Sequence, residues 1–329
     1  MTPALLAEVW RGNAVELHVR GHLAVVDAAG RLVASLGDPE APTTLRSAVK
    51  PLQALPFVEG GALDALDAGG DELALACASH SGEPVHVATA RRLLGRAGLD
   101  EADLACGPQW PAGDAAARAL AAEGGQAGRI HNNCSGKHAA MLAACVHAGW
   151  PIRGYTAIDH PLQRRISTIM GEVMGLDLTD APHGIDGCGL PTYGLPLRAL
   201  ALGFAAAQAE RPAFVRCQDA MAAHPLLVGG TGRFDSALLE AAGSAVTAKS
   251  GGAAVWAAVA RREGLGVALK LEAGGGAQLA PVAMAVLGAL DLLPAELPAA
   301  LVEHATGAVH NWEGTVVGDT RVVARPRRR

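Results

Sequence analysis

The sequence predicts an α+β fold, because strand-like and helix-like segments occupy different parts of the chain. Residues 5–37 and 245–324 carry strand patterns, whereas residues 47–243 carry mostly helical ones. A sheet assembled from the two ends, with the helical middle packed against it, is an α+β arrangement. The regular alternation of strands and helices that builds a parallel sheet is absent. We therefore expect one domain over residues 1–329, built on an antiparallel sheet.

The N-terminal strands are indicated by alternation of apolar and polar side chains. This alternation runs over residues 15–19, and Gly21 is expected to interrupt it. Two further β-rich segments, residues 22–27 and 31–35, are joined by residues 28–30, a short connection typical of a hairpin.

The middle of the chain carries apolar residues at helical spacing, which predicts a series of helices. We expect them at about 84–97, 114–123, 160–175, 196–208, 212–223 and 233–242. Strand patterns return after Ala245, at 255–259, 266–271 and 314–324, with an apolar helix at about 277–292 between the last two.

Composition excludes several classes of function. Half of the 329 residues are hydrophobic, and the net charge of −5 comes without a basic patch suited to nucleic acid. No apolar run approaches the ~20 residues that a membrane helix needs. Because no signal peptide is visible, we expect a cytoplasmic protein whose six cysteines are thiols or metal ligands rather than disulfides.

Ser47 and Lys50 are the first candidate catalytic pair. Residues three apart share one face of a helix, and Pro51 is tolerated in the first turn of a helix. Burial and the positive end of the helix would favour the neutral amine of Lys50, which could then deprotonate the serine. The alternative is a surface serine and a solvated lysine that have this spacing by chance.

A second element, Lys249-Ser250-Gly251, begins the C-terminal strands, and a loop that starts with Ser79 lies between the two elements. The three elements in this order resemble the serine β-lactamase and penicillin-binding architecture. On that basis two serine–amine pairs, Ser47–Lys50 and Ser79–Lys249, could converge on one scissile amide. One serine would attack, and the other would relay a proton towards the leaving group.

Longer motifs make the resemblance more specific. The chain is similar to the Rhizobium-type L-asparaginases, whose fold is similar to serine β-lactamases and glutaminases, over about residues 9–317. The motifs that carry this resemblance are 45–51 (LRSAVKP), 79–83 (SHSGE), 133–138 (NCSGKH) and 186–191 (DGCGLP).

The resemblance implies an amidohydrolase that acts on L-asparagine, as a homodimer. It implies that Ser47, Lys50, Ser79 and Lys249 are catalytic and that a zinc ion is bound beside the active site. The implied zinc ligands are Cys134, Lys137 and Cys188.

The resemblance also places other residues near the substrate or the metal. Arg46 would lie near the substrate, and Asp186 and His138 would be close neighbours of the metal. Backbone N–H groups near Ser47 and at Ser250 and Gly251 would stabilise the oxyanion. All of these except Ser47 are taken as substrate-binding candidates.

Several alternatives remain open at this point. Lys270 competes with Lys249, because the residues after Gly251 and the segment 272–275 depart from the family pattern. Ordinary zinc chemistry favours His138 over Lys137 as the third ligand, and the two cysteines could instead be buried thiols. Functional alternatives are a β-lactam or D-Ala-peptide hydrolase and a non-catalytic protein that binds zinc or an amino acid.

Overall fold

The α+β fold class is confirmed by a computed structural model, which describes residues 2–272 and 276–326. The strands are β1 Ala4–Arg11, β2 Ala14–Asp27, β3 Leu32–Leu36, β4 Pro42–Thr44, β5 His183–Ile185, β6 Pro191–Pro196, β7 Val246–Gly251, β8 Val255–Ala260, β9 Leu265–Leu271, β10 Val309–His310 and β11 Val316–Val322.

The α-helices fill most of the chain between β4 and β7, and two more follow β9. They are α1 Lys50–Gln53, α2 Leu55–Glu59, α3 Ala62–Ala65, α4 Gly70–Ala76, α5 Pro84–Arg96, α6 Asp114–Ala122, α7 Ser135–Ala148, α8 Pro161–Met174, α9 Leu197–Glu210, α10 Pro212–Ala223, α11 Pro225–Val228, α12 Phe234–Ala242, α13 Leu279–Ala289 and α14 Ala299–Thr306.

The main sheet joins the two ends of the chain, as the sequence predicts. Its order is β10-β11-β1-β2-β9-β8-β7, and β3 pairs with β2 beyond this path. Each pairing is antiparallel, with Ala7 opposite Val322 and Leu23 opposite Leu269. The N-terminal strands therefore lie in the middle of a sheet whose β7 side is contributed by the C-terminal half.

Both faces of the sheet are covered, because side chains on a strand alternate between faces. In β2, Ala24 and Val26 belong to the core shared with the helical region, while Leu23 and Val25 belong to a second core. That second core includes apolar residues of α12, α13 and α14. Burial on both faces explains why β8 is apolar along its full length.

The prediction that Gly21 interrupts a strand is wrong. Strand β2 continues through this residue, and Gly21 pairs with Leu271 of β9. A Cβ atom at this position would lie 2.2 Å from the Lys270 carbonyl oxygen and 2.9 Å from a Leu6 methyl group. Glycine is therefore required here for close contact between strands, and it does not mark a turn.

A second, three-stranded sheet was not predicted. It has the order β4-β6-β5, with Thr43 opposite Leu195 and Gly184 opposite Thr192. Two of its strands have only three residues, and two begin with proline, so the local strand pattern is weak. This small sheet brings the segment before Ser47 close to the turn at 186–191.

Two further predictions concern the segment 272–275 and the possibility of a membrane-spanning helix. The departure from the family pattern at 272–275 falls mostly on residues 273–275, outside the described residues. Within the part of the chain that the structure describes, none of the helices is long and apolar enough to cross a membrane.

Candidate active site

A cavity of about 360 Å³ lies where the segment after β4 meets the end of β7. It brings together Ser47, Ser79 and Lys249, which the sequence assigned to catalysis. The remaining lining residues are Arg46, Gln109, Asn132, Asn133, Cys134, Asp186, Gly187, Cys188, Arg233, Ser250, Gly251 and Gly252. Residues from distant parts of the sequence thus form one polar pocket.

Ser47 lies in a 3₁₀ turn, Arg46–Val49, which continues into α1 at Lys50. The predicted helix is therefore present in a shorter form, with Pro51 in the first turn of α1. Arg46, just before Ser47, has a φ angle of +48°, which is uncommon for a residue with a side chain. Such backbone conformations concentrate at functional sites, where surrounding contacts hold them.

Gly251 allows β7 to approach this turn closely. A Cβ atom on Gly251 would lie 2.9 Å from the Ala48 nitrogen and 3.3 Å from the Ser47 nitrogen. Among the described residues, neither the hydroxyl nor the N–H of Ser47 has a hydrogen-bond partner. The hydroxyl therefore remains available to a substrate in the cavity.

Lys50 is fully buried, and its amine is close to the second serine. Its Nζ lies 2.8 Å from Ser79 Oγ, 2.5 Å from the Ala78 carbonyl oxygen and 3.4 Å from the Asn133 carbonyl oxygen. Burial lowers the pKa of Lys50 to about 8, and the charges of Lys137 and Lys249 act in the same direction.

The predicted pairing of serines with lysines differs from the structure. Lys50 is hydrogen-bonded to Ser79, whereas Ser47 was its predicted partner. A buried amine needs acceptors, and two backbone carbonyls and the Ser79 hydroxyl supply them. Lys249 is paired with Asp235, at 2.9 Å from Nζ to Oδ2, whereas Ser79 was its predicted partner. A carboxylate is a stronger acceptor for an ammonium group than a hydroxyl is.

The Asp235 carboxylate also binds the next residue of β7. Ser250 donates its hydroxyl to Oδ1 at 2.6 Å and its N–H to Oδ2 at 3.0 Å. The predicted contribution of this N–H to an oxyanion hole is therefore wrong, because the N–H is already used. Sequence reasoning missed Asp235, since it lies in no recognisable motif and becomes notable only through its contact with Lys249.

Lys270, the competing lysine, lies outside the cavity. Its Nζ donates to the carbonyl oxygens of Ala253 and Leu271, at 2.7 Å each. Its position in β9 places it opposite His22, on the other side of β8 from β7. The structure therefore favours Lys249 as the second lysine of the site.

Arg46 and Asp186 form an ion pair at the cavity wall. Arg46 Nη2 lies 2.8 Å from Asp186 Oδ1, and Nε donates to the same oxygen at 2.9 Å. The same carboxylate accepts the Gly187 N–H at 2.7 Å. Burial raises the pKa of Asp186, but this N–H and the Arg46 guanidinium outweigh it, so the pKa is lowered overall.

The three predicted zinc ligands meet beside the cavity. Lys137 Nζ lies 3.3 Å from Cys188 Sγ, and the thiols of Cys134 and Cys188 are close enough to affect each other's pKa. The interaction with Cys188 lowers the pKa of the Cys134 thiol well below its usual range, whereas the interaction with Cys134, together with burial, raises the pKa of Cys188. Burial disfavours the Lys137 ammonium, yet the two sulfur groups outweigh burial and raise its pKa.

The donor set is chemically suited to zinc, since two thiols and an amine converge and thiolates bind zinc well. Lys137 would have to lose its proton in order to ligate. Within residues 2–272 and 276–326, no group of three or more His, Cys, Asp or Glu side chains is arranged to hold a metal. The predicted set has two such residues and one lysine.

His138 is not brought to the cavity surface. It is fully buried on α7, and its Nδ1 lies 2.6 Å from the Tyr155 hydroxyl, while its Nε2 has no partner within the described residues. His138 therefore does not line the cavity, where the predicted contact with the substrate would have to be made. The structure instead adds Gln109 and Arg233 to the cavity wall, which the sequence did not indicate, and Asn133, which belongs to the motif at 133–138 but was not predicted as a site residue.

Comparison with known proteins places this site in a family. A search of curated proteins finds no match to the chain. The model of the L-asparaginase II family, in contrast, matches residues 7–322, which is nearly the whole chain and includes every predicted site residue. The chain therefore belongs to the L-asparaginase II family.

Proposed function

We propose that this protein hydrolyses the side-chain amide of L-asparagine to L-aspartate and ammonia, through an acyl-enzyme on Ser47. The observation that carries the mechanism is the contact of the buried Lys50 amine with Ser79, at 2.8 Å, in a cavity that Ser47 also lines. Membership of the L-asparaginase II family supports the reaction class.

Lys50 is suited to act as the base. As a neutral amine it has two N–H groups, which can donate to the Ala78 and Asn133 carbonyls, and one lone pair, which can accept the Ser79 hydroxyl. A pKa of about 8 leaves an appreciable neutral fraction near neutral pH, unlike a free lysine with a pKa of about 10.4.

The proposed reaction has two balanced halves. Ser47 Oγ attacks the amide carbon, and its proton passes through Ser79 to Lys50. The tetrahedral intermediate then expels ammonia after the same proton is returned to the amide nitrogen. Water next attacks the ester, loses a proton to the same relay, and releases aspartate as Ser47 regains its proton.

The negative oxygen of the intermediate needs hydrogen-bond donors in the cavity. The Ser47 N–H is free among the described residues and lies close to Gly251. This N–H is therefore the backbone donor that we propose for the oxyanion. Arg46 and Asp186, as an ion pair on the wall, are suited to the charged ends of an amino-acid substrate.

We also propose that Cys134, Lys137 and Cys188 hold a zinc ion. When bound, zinc would supply positive charge that helps to orient the substrate beside Ser47. The chain's own residues perform the proton transfers described above. The homodimer and the cytoplasmic location expected from the sequence stay predictions.

The proposal is tested by ammonia release. Purified protein is expected to release one ammonia per L-asparagine consumed and to leave nitrocefin unchanged. In an acid-quenched reaction, mass spectrometry should find an aspartyl adduct on the peptide that contains Ser47. An adduct on the Ser79 peptide would exchange the roles of the two serines. Absence of turnover with L-asparagine and L-glutamine would contradict the amidohydrolase assignment.

A further inference from the structure

The chain has four lysines, and their surroundings separate them by chemistry. Lys50, Lys137 and Lys249 are buried, whereas Lys270 is half-buried outside the cavity. Of the two lysines that were predicted to be catalytic, Lys50 is bound by carbonyls and a hydroxyl, while Lys249 is bound by a carboxylate. This difference in acceptors indicates different protonation states.

The Lys249 ammonium is held from two sides. Its Nζ donates to Asp235 Oδ2 at 2.9 Å and to the Ser250 carbonyl oxygen at 2.7 Å. The exposed fractions of the two side chains are 1% and 7%, so water screens the pair only weakly. An ammonium group has three N–H bonds, which leaves one for the cavity that Lys249 lines.

Asp235 is built to remain ionised. Its two oxygens accept the Lys249 ammonium, the Ser250 N–H and the Ser250 hydroxyl. It lies in the first turn of α12, where the helix end favours a negative charge. Burial raises the pKa of Asp235, but the Lys249 charge and these hydrogen bonds outweigh it and lower the pKa overall.

No other element packed on β7 offers a competing acid near Lys249 among the described residues. Strand β8 is apolar, the turn at 46–49 contributes the Arg46 guanidinium, and α1 contributes the Lys50 amine. Helix α10 contributes the Cys217 thiol and the exposed Asp219, whose carboxylate is paired with Arg261. On α12, Glu240 is exposed. The Cys77 thiol is also near Lys249, but it is buried and its pKa is raised, so it does not supply a competing negative charge.

We propose that Asp235 is a positioning residue that keeps Lys249 a permanent ammonium, so that Lys249 donates a hydrogen bond and a positive charge to the cavity and does not act as a base. This inference rests on the proposed function. It replaces the pairing of Ser79 with Lys249 that the sequence predicted. The negative charge that develops on the attacked amide oxygen is the natural acceptor for the third N–H of Lys249.

The first test reads the charge of Lys249 directly and needs no turnover. Protein labelled with ¹⁵Nζ and ¹³Cε lysine should give four side-chain signals, and Lys249→Arg identifies one of them by its loss. We expect the Lys249 signal of the wild-type protein to be that of an ammonium group at about pH 8, where the Lys50 amine loses its proton, because the Asp235 carboxylate binds Lys249. A Lys249 signal characteristic of a neutral amine under the same conditions would overturn the proposal.

The second test removes the counter-charge. In Asp235→Asn, the buried ammonium loses its carboxylate and should give up its proton more readily. We expect kcat/KM to gain a falling alkaline limb, with about a tenfold or greater loss relative to the wild type at about pH 9. If Lys249 were a base, the same variant would instead gain activity at lower pH, which contradicts the proposal.

The control is Asp219→Asn, the same chemical change in an exposed ion pair outside the site. It should keep the wild-type profile. If Asp235→Asn does not fold, the wild-type signal still decides the charge of Lys249. Failure of the proposed function would appear separately, as wild-type protein that releases no ammonia.

Discussion

At the scale of single residues, the two serines of the cavity have different surroundings. Ser79 is hydrogen-bonded to the Lys50 amine, whereas the Ser47 hydroxyl has no partner among the described residues. The free hydroxyl of Ser47 suits the nucleophile. The hydroxyl of Ser79, which is bonded to Lys50, suits a relay that passes the proton of the nucleophile to this base. The division of roles between these serines can therefore be measured.

We expect Ser47→Ala to lower kcat by several decades while the fold is retained, because the acyl-enzyme can no longer form. Ser79→Ala should lower kcat by about 10²–10⁴, since it interrupts proton transfer and leaves the nucleophile in place. Steady-state ammonia release and circular dichroism measure both effects. A Ser47→Ala variant that keeps more than about a tenth of the wild-type kcat would contradict the assignment, because that is only ~1.4 kcal/mol of barrier.

The pKa of Lys50 predicts the pH dependence of the metal-free protein. Burial is the main cause that lowers the pKa of Lys50 to about 8. Because the base must be neutral, kcat/KM should rise with pH through this value. A profile that is flat between about pH 6 and 10 would contradict Lys50 as the base.

The same shift has a consequence for stability. Between about pH 8 and 10.4 the unfolded chain holds a proton on Lys50 that the folded protein has released, so the free energy of unfolding should rise with pH across this window. Below about pH 8 the cost of burying the charged form, about 3 kcal/mol, is fully present. Denaturant titrations at several pH values give the free energy of unfolding of the wild type and of Lys50→Met. The change of this free energy with pH should differ between the two proteins within this window and should not differ below it.

At the scale of elements, close approach of backbones explains two glycines. Gly21 lets β2 meet β9, and Gly251 lets β7 meet the turn that carries Ser47. In the sequence the first glycine looks like a strand break, because its true partner is about 250 residues away. A local pattern does not distinguish a turn from a contact with a distant strand.

Gly21→Ala is expected to destabilise the protein by about 2–4 kcal/mol, because the added Cβ would lie 2.2 Å from the Lys270 carbonyl oxygen. Gly184→Ala in β5 is the matched control, since a Cβ there has no neighbour within 4 Å. It should change stability by less than about 0.5 kcal/mol. Equal midpoints of denaturation for the two variants would contradict this account of Gly21.

The predicted zinc ion would join two elements, the start of α7 and the turn between β5 and β6. Elemental analysis should find up to one zinc per chain, and chelation should raise KM more than it lowers kcat, because the metal orients the substrate. Cys188→Ser should lose the zinc, whereas Cys145→Ser, at a buried thiol on α7, should keep it. Protein without zinc in any preparation would favour two buried thiols.

At the scale of the whole molecule, the family resemblance predicts a homodimer. Light scattering on a sizing column should then give twice the chain mass of 33.4 kDa at micromolar concentration. A particle of one chain mass, with full activity, would contradict the prediction.

The fold class and the family could be predicted from the order of residues along the chain. Strand alternation at the two ends and helical spacing in the middle predicted the α+β arrangement, and the motifs at 45–51 and 133–138 indicated the family. These signals are local because periodicity and short motifs are properties of neighbouring residues.

The hydrogen-bond partners of the catalytic lysines, in contrast, could not be predicted from the sequence, because they depend on how distant segments pack. Lys50 and Ser79 are 29 residues apart, and Lys249 and Asp235 are 14 apart with no motif between them. Several hydroxyls, carbonyls and carboxylates could satisfy each buried amine, and packing selects the one that lies within hydrogen-bond distance. The choice fixes chemistry, because a carboxylate partner retains the proton on Lys249 while carbonyls and a hydroxyl allow Lys50 to lose its own.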